Sequence, residues 1–482
     1  MFSIKKAEDF IKTNRGSINT KFRPKYHMAA PIGWINDPNG FCFFKNQYHM
    51  FCQYYPYEAI WGPMHWGHWA SSDCVNWRWQ GVALAPDSLY DNMGCFSGTA
   101  LVENDTLYIV YTGVHKNKDG TVVQEQCIAK SEDGINFVKY KNNPIITSSM
   151  LPEGFSIVDF RDPKISEFNN GYRILVAGTK YNIGKILSYK SKDKINWEFD
   201  GIFTDNISTM PECPDYFHLQ GNDVFVTCLM NQKHEELKYQ NDHHAVVYYL
   251  GKETDGAFSA KEHRSIDLGQ DFYAPQTLVT KDGRAIMIAW MQMWGEAPPN
   301  YYFKHGWQGQ YTFPREISIK NNRLYQNPIK EIEKLYKNKK ELFKQKINNK
   351  VQLLSGKQLR IMIKITNIGN EGVQMHLFEK GDSFIALSFD RRSGILRLDR
   401  SRTYYPVLAL PTQEAHDIAA VQLNKNSDEL FLDILLDTCS IEVFANHGEA
   451  ALTSLAYCEE DADGISFFGD FYIDKLTAYQ LN

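Results

Sequence analysis

Long hydrophobic runs are missing from this 482-residue chain. None approaches the roughly 18 apolar residues that a membrane-spanning helix needs, so no membrane partner is expected. The opening stretch, "MFSIKKAEDFIKTNRG", has no apolar core of signal-peptide length. The nine cysteines are scattered, odd in number and free of any C-x-x-C pair. That argues against a disulfide framework and for reduced thiols, and the expected compartment is the cytoplasm. Charge of one sign is also lacking. A net −5 exerts no general pull, so no nucleic-acid partner is expected. Metal-ligating clusters are scarce too. His65 and His68 in "HWGH", and the pair His243 and His244, have no partnering cluster of further ligands, so a structural role is expected, with no metal and no cofactor.

What the chain does have is length and aromatic rings. Two domains are the natural division at this length. Hydrophobic residues make up 43% and charged residues 23%, the balance of a globular protein. Aromatics reach 14%, with 10 Trp and 27 Tyr. Such rings suit β-sheets, and they also suit the faces of sugars.

A repeat organises the first two thirds. "SSDCVNW", "SEDGINF" and "SKDKINW" start at residues 71, 131 and 191, and each reads Ser, any, Asp, two more, Asn, aromatic. A weaker echo, "KETDGAF", starts at 252. A fixed period of this kind signals a repeat architecture. Five polar turns run in parallel, each leading into an apolar run: Lys45-Asn46, Asn104-Asp105, Asn169-Asn170-Gly171, Gly221-Asn222 and Lys281-Asp282-Gly283. Polar turns between β-rich runs read as hairpins. The expectation is an all-β chain whose main part is a five-bladed β-propeller of about 300 residues. A generic β-sandwich is the plainer alternative, and the regular period argues against it.

The expected boundaries follow from shifts in composition. Residues 1–20 form an N-terminal helical segment, 21–328 the propeller, 329–350 a Lys-rich and partly helical linker, and 351–482 a C-terminal β-sandwich. In the last part, strands alternate around Ser393-Gly394 and around Asn446-His447-Gly448.

The chemistry-bearing motifs share one phase of the repeat. Asp37 in "GWINDPNG", "FSG" at 96–98, Asp162 in "FRDPK", Glu212 in "PECPD" and the stretch "DFYAPQ" at 271–276 all lie about seven to ten residues ahead of a hairpin turn. The innermost strand of each blade lines the central channel, so five distant stretches converge on one pocket holding three carboxylates. They cannot all ionise freely, because like charges raise at least one pKa. A neutral carboxyl beside an ionised one is the pair that glycoside hydrolysis requires. Bland readings exist for each residue. Asp-Pro and Asn-Gly build ordinary turns, Arg161–Asp162 reads as a plain ion pair, and Glu212 as a strand end. Their common phase outweighs them.

"WINDPNG", "FSG", "FRDP" and "EC", in this order and spacing, resemble glycoside hydrolase family 32, the invertase and sucrose-6-phosphate hydrolase group. The resemblance runs from "YHMAAPIGWINDPNGF" to "SIEVFANHGEAALTS", with "WGPMHWGHWASSDCVNW" and "GWQGQYTFPRE" between. It implies a propeller followed by a sandwich, and a retaining β-fructofuranosidase acting through a covalent fructosyl-enzyme. It further implies Asp37 as nucleophile, Glu212 as acid/base and Asp162 as the residue that holds fructose hydroxyls. Retention calls for an Asp37–Glu212 carboxyl separation of about 5–5.5 Å. By chemistry and by motif, Asn36, Gln53, Ser97 and Arg161 suit sugar hydroxyls, Trp34, Trp61, Phe96 and Trp290 suit the apolar walls, and Tyr273 suits a bond near the carboxylates. Cys213 is expected to tune Glu212 as a soft neighbour. Gln308 and Gln310 depart from the family pattern, which points to a different leaving-group side. The loop "WGEAPPNYY" at 294–302 is expected at the pocket mouth.

The expected partner is a small fructoside. A fructosyltransferase with the same intermediate, an inverting propeller hydrolase and a sugar-binding propeller without turnover are the alternatives. The sequence leaves open the choice among sucrose, its 6-phosphate and short fructo-oligosaccharides, and whether the sandwich mediates a homodimer.

Overall fold

The computed structural model describes residues 2–205, 207, 209–230, 244–413, 415–425 and 427–482. His243 lies outside them. The described chain is almost entirely β. Its first part contains five sheets, each built from four strands taken in chain order and paired antiparallel. The inner strands are Gly33–Phe44, Gly94–Glu103, Phe155–Phe168, Met210–Leu219 and Tyr273–Val279. Each packs on the inner strand of the next sheet, and the fifth packs on the first. The result is a propeller-like ring. Trp307–Gln308 pairs in parallel with Gly33 and Trp34, which ties a late segment to the first sheet.

Side-chain patterning follows from position in the ring. The first inner strand is buried along almost its whole length because sheets flank it on both faces. The outermost strand of the fourth sheet, Ala257–Ser265, buries only Phe258. The first hairpin turns contain Lys45-Asn46, Asn104-Asp105 and Asn169-Asn170, all with positive φ. That is the primed-turn geometry that matches strand twist. The fourth turn is displaced by one residue from expectation: Leu219 pairs with Asn222, leaving Gln220-Gly221 as the turn.

The 60-residue motif is a structural device. Ser71, Asp73 and Asn76 close the turn between the third and fourth strands of the first sheet. Asp73 Oδ1 accepts from the N–H of Val75 (3.1 Å) and Asn76 (2.8 Å), and its Oδ2 from Asn76 Nδ2 (3.0 Å). Asp133 and Asp193 repeat the pattern in the next two sheets. The echo at 252–258 folds differently, as a tight Asp255-Gly256 hairpin in which Thr254 pairs with Ala257.

The N-terminal helix Ile4–Asn14 is capped by the Ser3 hydroxyl and buries Ala7 and Ile11 against the first sheet. The C-terminal part is two six-stranded sheets packed face to face around an aliphatic core. The expected linker is corrected here. Only Lys330–Leu335 is helical, as a 3-10 turn, and Tyr336–Ile347 is an edge strand of the sandwich paired to Phe471–Leu481. Its lysines reflect that edge, since charge along an exposed strand discourages further pairing. The propeller core continues into the sandwich through Leu435, Phe444 and Tyr457, so the two parts share buried apolar surface. His65 and His68 take structural contacts. His65 Nδ1 meets the Pro63 carbonyl (3.0 Å), and His68 stacks on His49 with a ring nitrogen contact of 2.9 Å. Among the described residues, no helix is long and apolar enough to cross a membrane, and no group of three His, Cys, Asp or Glu is placed to hold a metal.

Candidate active site

All five inner strands break register where the motifs fall. The irregularities lie between Ile35 and Pro38, between Phe96 and Gly98, at 161–164, between Glu212 and Asp215, and between Tyr273 and Gln276. Four of them contain a proline: Pro38, Pro163, Pro214 and Pro275. Proline brings no N–H to the ladder, so a bulge is where a strand tolerates it. In three of them the residue before the proline is twisted over. Asp162, Cys213 and Ala274 hold φ of 64°, 47° and 49°. Such backbone costs about 1–3 kcal/mol per residue in a non-glycine position. In return, a bulge turns a side chain off the alternating pleat. This is the local reason that Asp37, Asp162 and Glu212 meet.

Cys213 bridges two of the three carboxylates, and the charge of the third, Glu212, is felt by both. Asp37 Oδ2 accepts from Ser97 Oγ (2.6 Å) and Cys213 Sγ (3.5 Å), and its Oδ1 from Asn36 Nδ2 (3.0 Å). Asp162 Oδ2 accepts from the Cys213 N–H (2.9 Å) and, more weakly, from its thiol (3.7 Å). Glu212 Oε1 accepts from Arg161 Nη2 (2.9 Å) and Nε (3.3 Å), and its Oε2 from the Tyr273 hydroxyl (2.6 Å). Asp37 and Asp162 are buried, while the Glu212 side chain keeps 17% exposure. Glu212 is therefore the carboxylate most open to solvent.

Electrostatics separates the two aspartates from ordinary ones. Burial raises the Asp37 pKa. The Ser97 hydroxyl opposes that shift, and the charge of Glu212 adds to it. Burial also pushes Asp162 up, to about 7; Arg161 opposes the shift, and Glu212 and Asp37 reinforce it.

The walls are aromatic. Trp34 meets Trp290 edge-on at 5.7 Å, and its Nε1 donates to Asn36 Oδ1 (2.8 Å). Trp290 is fully buried, and its Nε1–H has no partner among the described residues. Phe96 meets Trp61 edge-on at 5.8 Å, and Trp61 is 48% exposed, which puts it on the outer rim. Gln53 is buried and donates to the Cys95 carbonyl (3.0 Å).

Two expectations need correction. Cys213 does not face Glu212. Its thiol points at Asp37 and Asp162, because the bulge at 212–215, with Cys213 at φ 47°, takes it off the regular pleat. Gln310 is not on the leaving-group side. It lies at the sandwich interface, where its Oε1 accepts from Cys439 Sγ (3.2 Å).

Sequence reasoning missed several supports. Thr112 Oγ1 accepts from the Asp162 N–H (3.0 Å) and donates to Gln126 Oε1 (2.8 Å), which pins the third bulge from the neighbouring sheet. Asp159 Oδ1 accepts from Arg161 Nη1 (3.3 Å). Tyr311 donates to the Asp37 carbonyl (3.2 Å). Trp294 stacks on Trp34 at 6.0 Å and completes an indole wall. The recurring X-Pro dipeptides were the available signal for the bulges. The Thr112 and Tyr311 contacts cross between sheets and carry no local signature.

Residues 27–328 match the Glycosyl hydrolases family 32 N-terminal domain, and 331–480 match the Glycosyl hydrolases family 32 C terminal. The chain is 35% identical to a sucrose-6-phosphate hydrolase of Escherichia coli, over 94% of this chain and 93% of that one. Among solved structures, a sucrose-6-phosphate hydrolase from Lactobacillus gasseri superposes with a TM-score of 0.89 at 27% identity, covering 100% and 99% of the two chains. A Bombyx mori beta-fructofuranosidase of family 32 superposes with a TM-score of 0.84 at 29% identity, covering 99% and 98%.

Proposed function

The chain belongs to glycosyl hydrolase family 32, and from that premise we propose how its pocket cleaves a fructoside. It is a glycoside hydrolase of invertase type that hydrolyses fructosyl bonds, and its proposed substrates are sucrose, sucrose 6-phosphate and short fructo-oligosaccharides. One observation carries the mechanism: three carboxylates from three inner strands lie close enough for their charges to couple, Asp37 and Asp162 are bridged by Cys213, and each has a different set of donors.

Asp37 is the nucleophile. Its three donors hold the carboxylate in one orientation, and Ser97 favours the ionised form that attacks the anomeric carbon. Glu212, the most open of the three, protonates the glycosidic oxygen as the bond to the sugar carbon breaks. Water then enters, Glu212 takes its proton, and the resulting hydroxide displaces Asp37 from the same carbon. Two displacements give net retention. Tyr273 and Arg161 steady Glu212 as it becomes charged. Asp162 binds fructose hydroxyls beside the reacting carbon, and the free Trp290 Nε1–H offers a sugar oxygen a donor. Trp34, Trp61 and Phe96 supply apolar faces. All nine cysteines are buried free thiols, which suits action in a reducing cytoplasm.

The test is the anomer of fructose first released from sucrose, read by NMR. β-Fructofuranose supports the double displacement, and the α-anomer refutes it. Parallel kcat/KM values for sucrose, sucrose 6-phosphate and kestose rank the substrates.

A further inference from the structure

The sandwich reaches into the propeller through one buried cation. Arg400, just past the strand Ile395–Asp399, is 1% exposed. Its Nη1 donates to Asp271 Oδ2 (2.6 Å) and its Nη2 to Glu296 Oε1 (2.6 Å); both carboxylates belong to the propeller and are buried. Nη2 also donates to the His416 carbonyl (3.1 Å), which fixes the guanidinium within its own domain. The remaining oxygens, Asp271 Oδ1 and Glu296 Oε2, have no donor among the described residues. Burial and the neighbouring Asp271 push the Glu296 carboxyl well above the carboxylate range, so a proton held there satisfies both oxygens.

Both anchored carboxylates lead to the pocket. Asp271 stands two residues before Tyr273, whose hydroxyl holds Glu212. The segment carrying Asp271 is laid along the sandwich strand Ala450–Leu455. Leu268 and Asp271 donate N–H to the carbonyls of Ala451 (2.9 Å) and Thr453 (3.1 Å), and Leu455 N–H returns to Asp271 Oδ2 (2.7 Å). Gly269 is glycine because an added Cβ would lie 2.0 Å from the Thr453 carbonyl oxygen. Glu296 stands two residues after Trp294, which meets Trp290 at 5.0 Å and Trp34 at 6.0 Å. Here too the sandwich supplies backbone: Glu296–Ala297 pairs with Leu408–Ala409, and Leu410 N–H donates to the Gly295 carbonyl (2.8 Å).

We propose that Arg400 is a positioning residue for the active site: by clamping Asp271 and Glu296, the sandwich sets Tyr273 against Glu212 and seats Trp294 in the sugar-binding wall. The kinetic part of this proposal rests on the fructosidase reading above. The geometric part does not.

Three variants of the full chain test it. Arg400→Lys keeps the charge but cannot span both carboxylates. Leu410→Pro removes the N–H that holds Gly295 and touches no buried charge. Glu296→Gln keeps the acceptor for Arg400 and offers an amide N–H where the carboxyl proton sits. Far-ultraviolet dichroism and thermal unfolding establish which variants are folded. Near-ultraviolet dichroism then reads the coupled indoles of Trp34, Trp290 and Trp294 without reference to turnover. The expected result is a changed indole signal and a KM for sucrose raised about tenfold or more in both Arg400→Lys and Leu410→Pro, with kcat also falling beyond the unfolded fraction in Arg400→Lys as Tyr273 shifts from Glu212, and with these readouts retained in Glu296→Gln. Folded variants with an unchanged indole signal and KM within twofold of wild type overturn the clamp, as does a loss confined to kcat in proportion to unfolded material. A wild-type protein that releases no fructose from any fructoside refutes the fructosidase reading, and the indole signal still decides the clamp.

Discussion

Replacing Tyr273 by phenylalanine isolates one hydrogen bond at the reacting end of the pocket. The ring stays, packed edge-on against His244 at 5.8 Å, and only the hydroxyl that donates to Glu212 Oε2 at 2.6 Å is lost. Tyr273 is 1% exposed, so water does not compete for that hydroxyl in the free enzyme. A hydrogen bond to a charged group contributes about 1.5–3 kcal/mol. Only the part that strengthens as Glu212 becomes a carboxylate appears in the rate. The upper bound is therefore a fall of about 10- to 150-fold in kcat for sucrose, at 1.36 kcal/mol per tenfold. The glucosyl leaving group of sucrose needs its proton early. A p-nitrophenyl fructoside leaves as a stable phenolate and needs little help, so its loss is about threefold or less. The assay is kcat for both substrates at one pH, with thermal unfolding to show that the fold survives. Equal losses on the two substrates, or no loss on sucrose, refute the acid/base assignment of Glu212 and the role given to Tyr273.

Asp37→Ala abolishes turnover yet leaves the melting temperature at pH 7 equal to or above that of wild type. Because its folded pKa is raised, stability falls as pH climbs from the ordinary aspartate range through the raised value, and alanine removes that loss; a lower melting temperature contradicts this. Ser97→Ala removes a donor that favours ionised Asp37, so the acidic limb of the kcat/KM profile moves to higher pH; a limb that stays or moves down counts against Asp37 as the titrating nucleophile. His27 lies between Asp437 (2.8 Å) and Glu442 (2.9 Å) at the domain interface. Burial works against its charge, but the two carboxylates outweigh it and raise its pKa to about 9. Its contribution is full below the unfolded value of 6.5 and is lost as pH rises through about 9. His27→Gln therefore destabilises by about 3–5 kcal/mol at pH 6, and chemical denaturation shows the gap narrowing toward pH 10; a gap that does not change with pH refutes the charged-pair account.

The repeat itself was legible for a reason that has nothing to do with catalysis. Asp73, Asp133 and Asp193 stand 60 residues apart because each closes the same turn with its own carboxylate. The site motifs were legible as a phase of that repeat, yet the means of convergence was not. Four prolines mark the bulges, but Asp-Pro reads equally well as a turn until the strand pairing is known. Cys213 shows the limit at the level of one residue. Adjacency in sequence linked it to Glu212, whereas the bulge turned it to the other two carboxylates. The Lys-rich stretch at 329–350 shows the same limit for an element. Its composition suits a linker and an exposed edge strand alike, and pairing with Phe471–Leu481 makes it a strand.

By itself, then, the sequence determined the local facts: strand periodicity, turn chemistry, and which residues bring acid, base and aromatic character. These depend on neighbours along the chain, and a linear text records them. Contacts between sheets and domains were decided only by the tertiary structure. Thr112 under Asp162, Trp294 on Trp34, and Arg400 between Asp271 and Glu296 join positions far apart in the chain. Each depends on how the twisted sheets close into a ring and how the sandwich seats against it, and neither is written in the spacing of any motif.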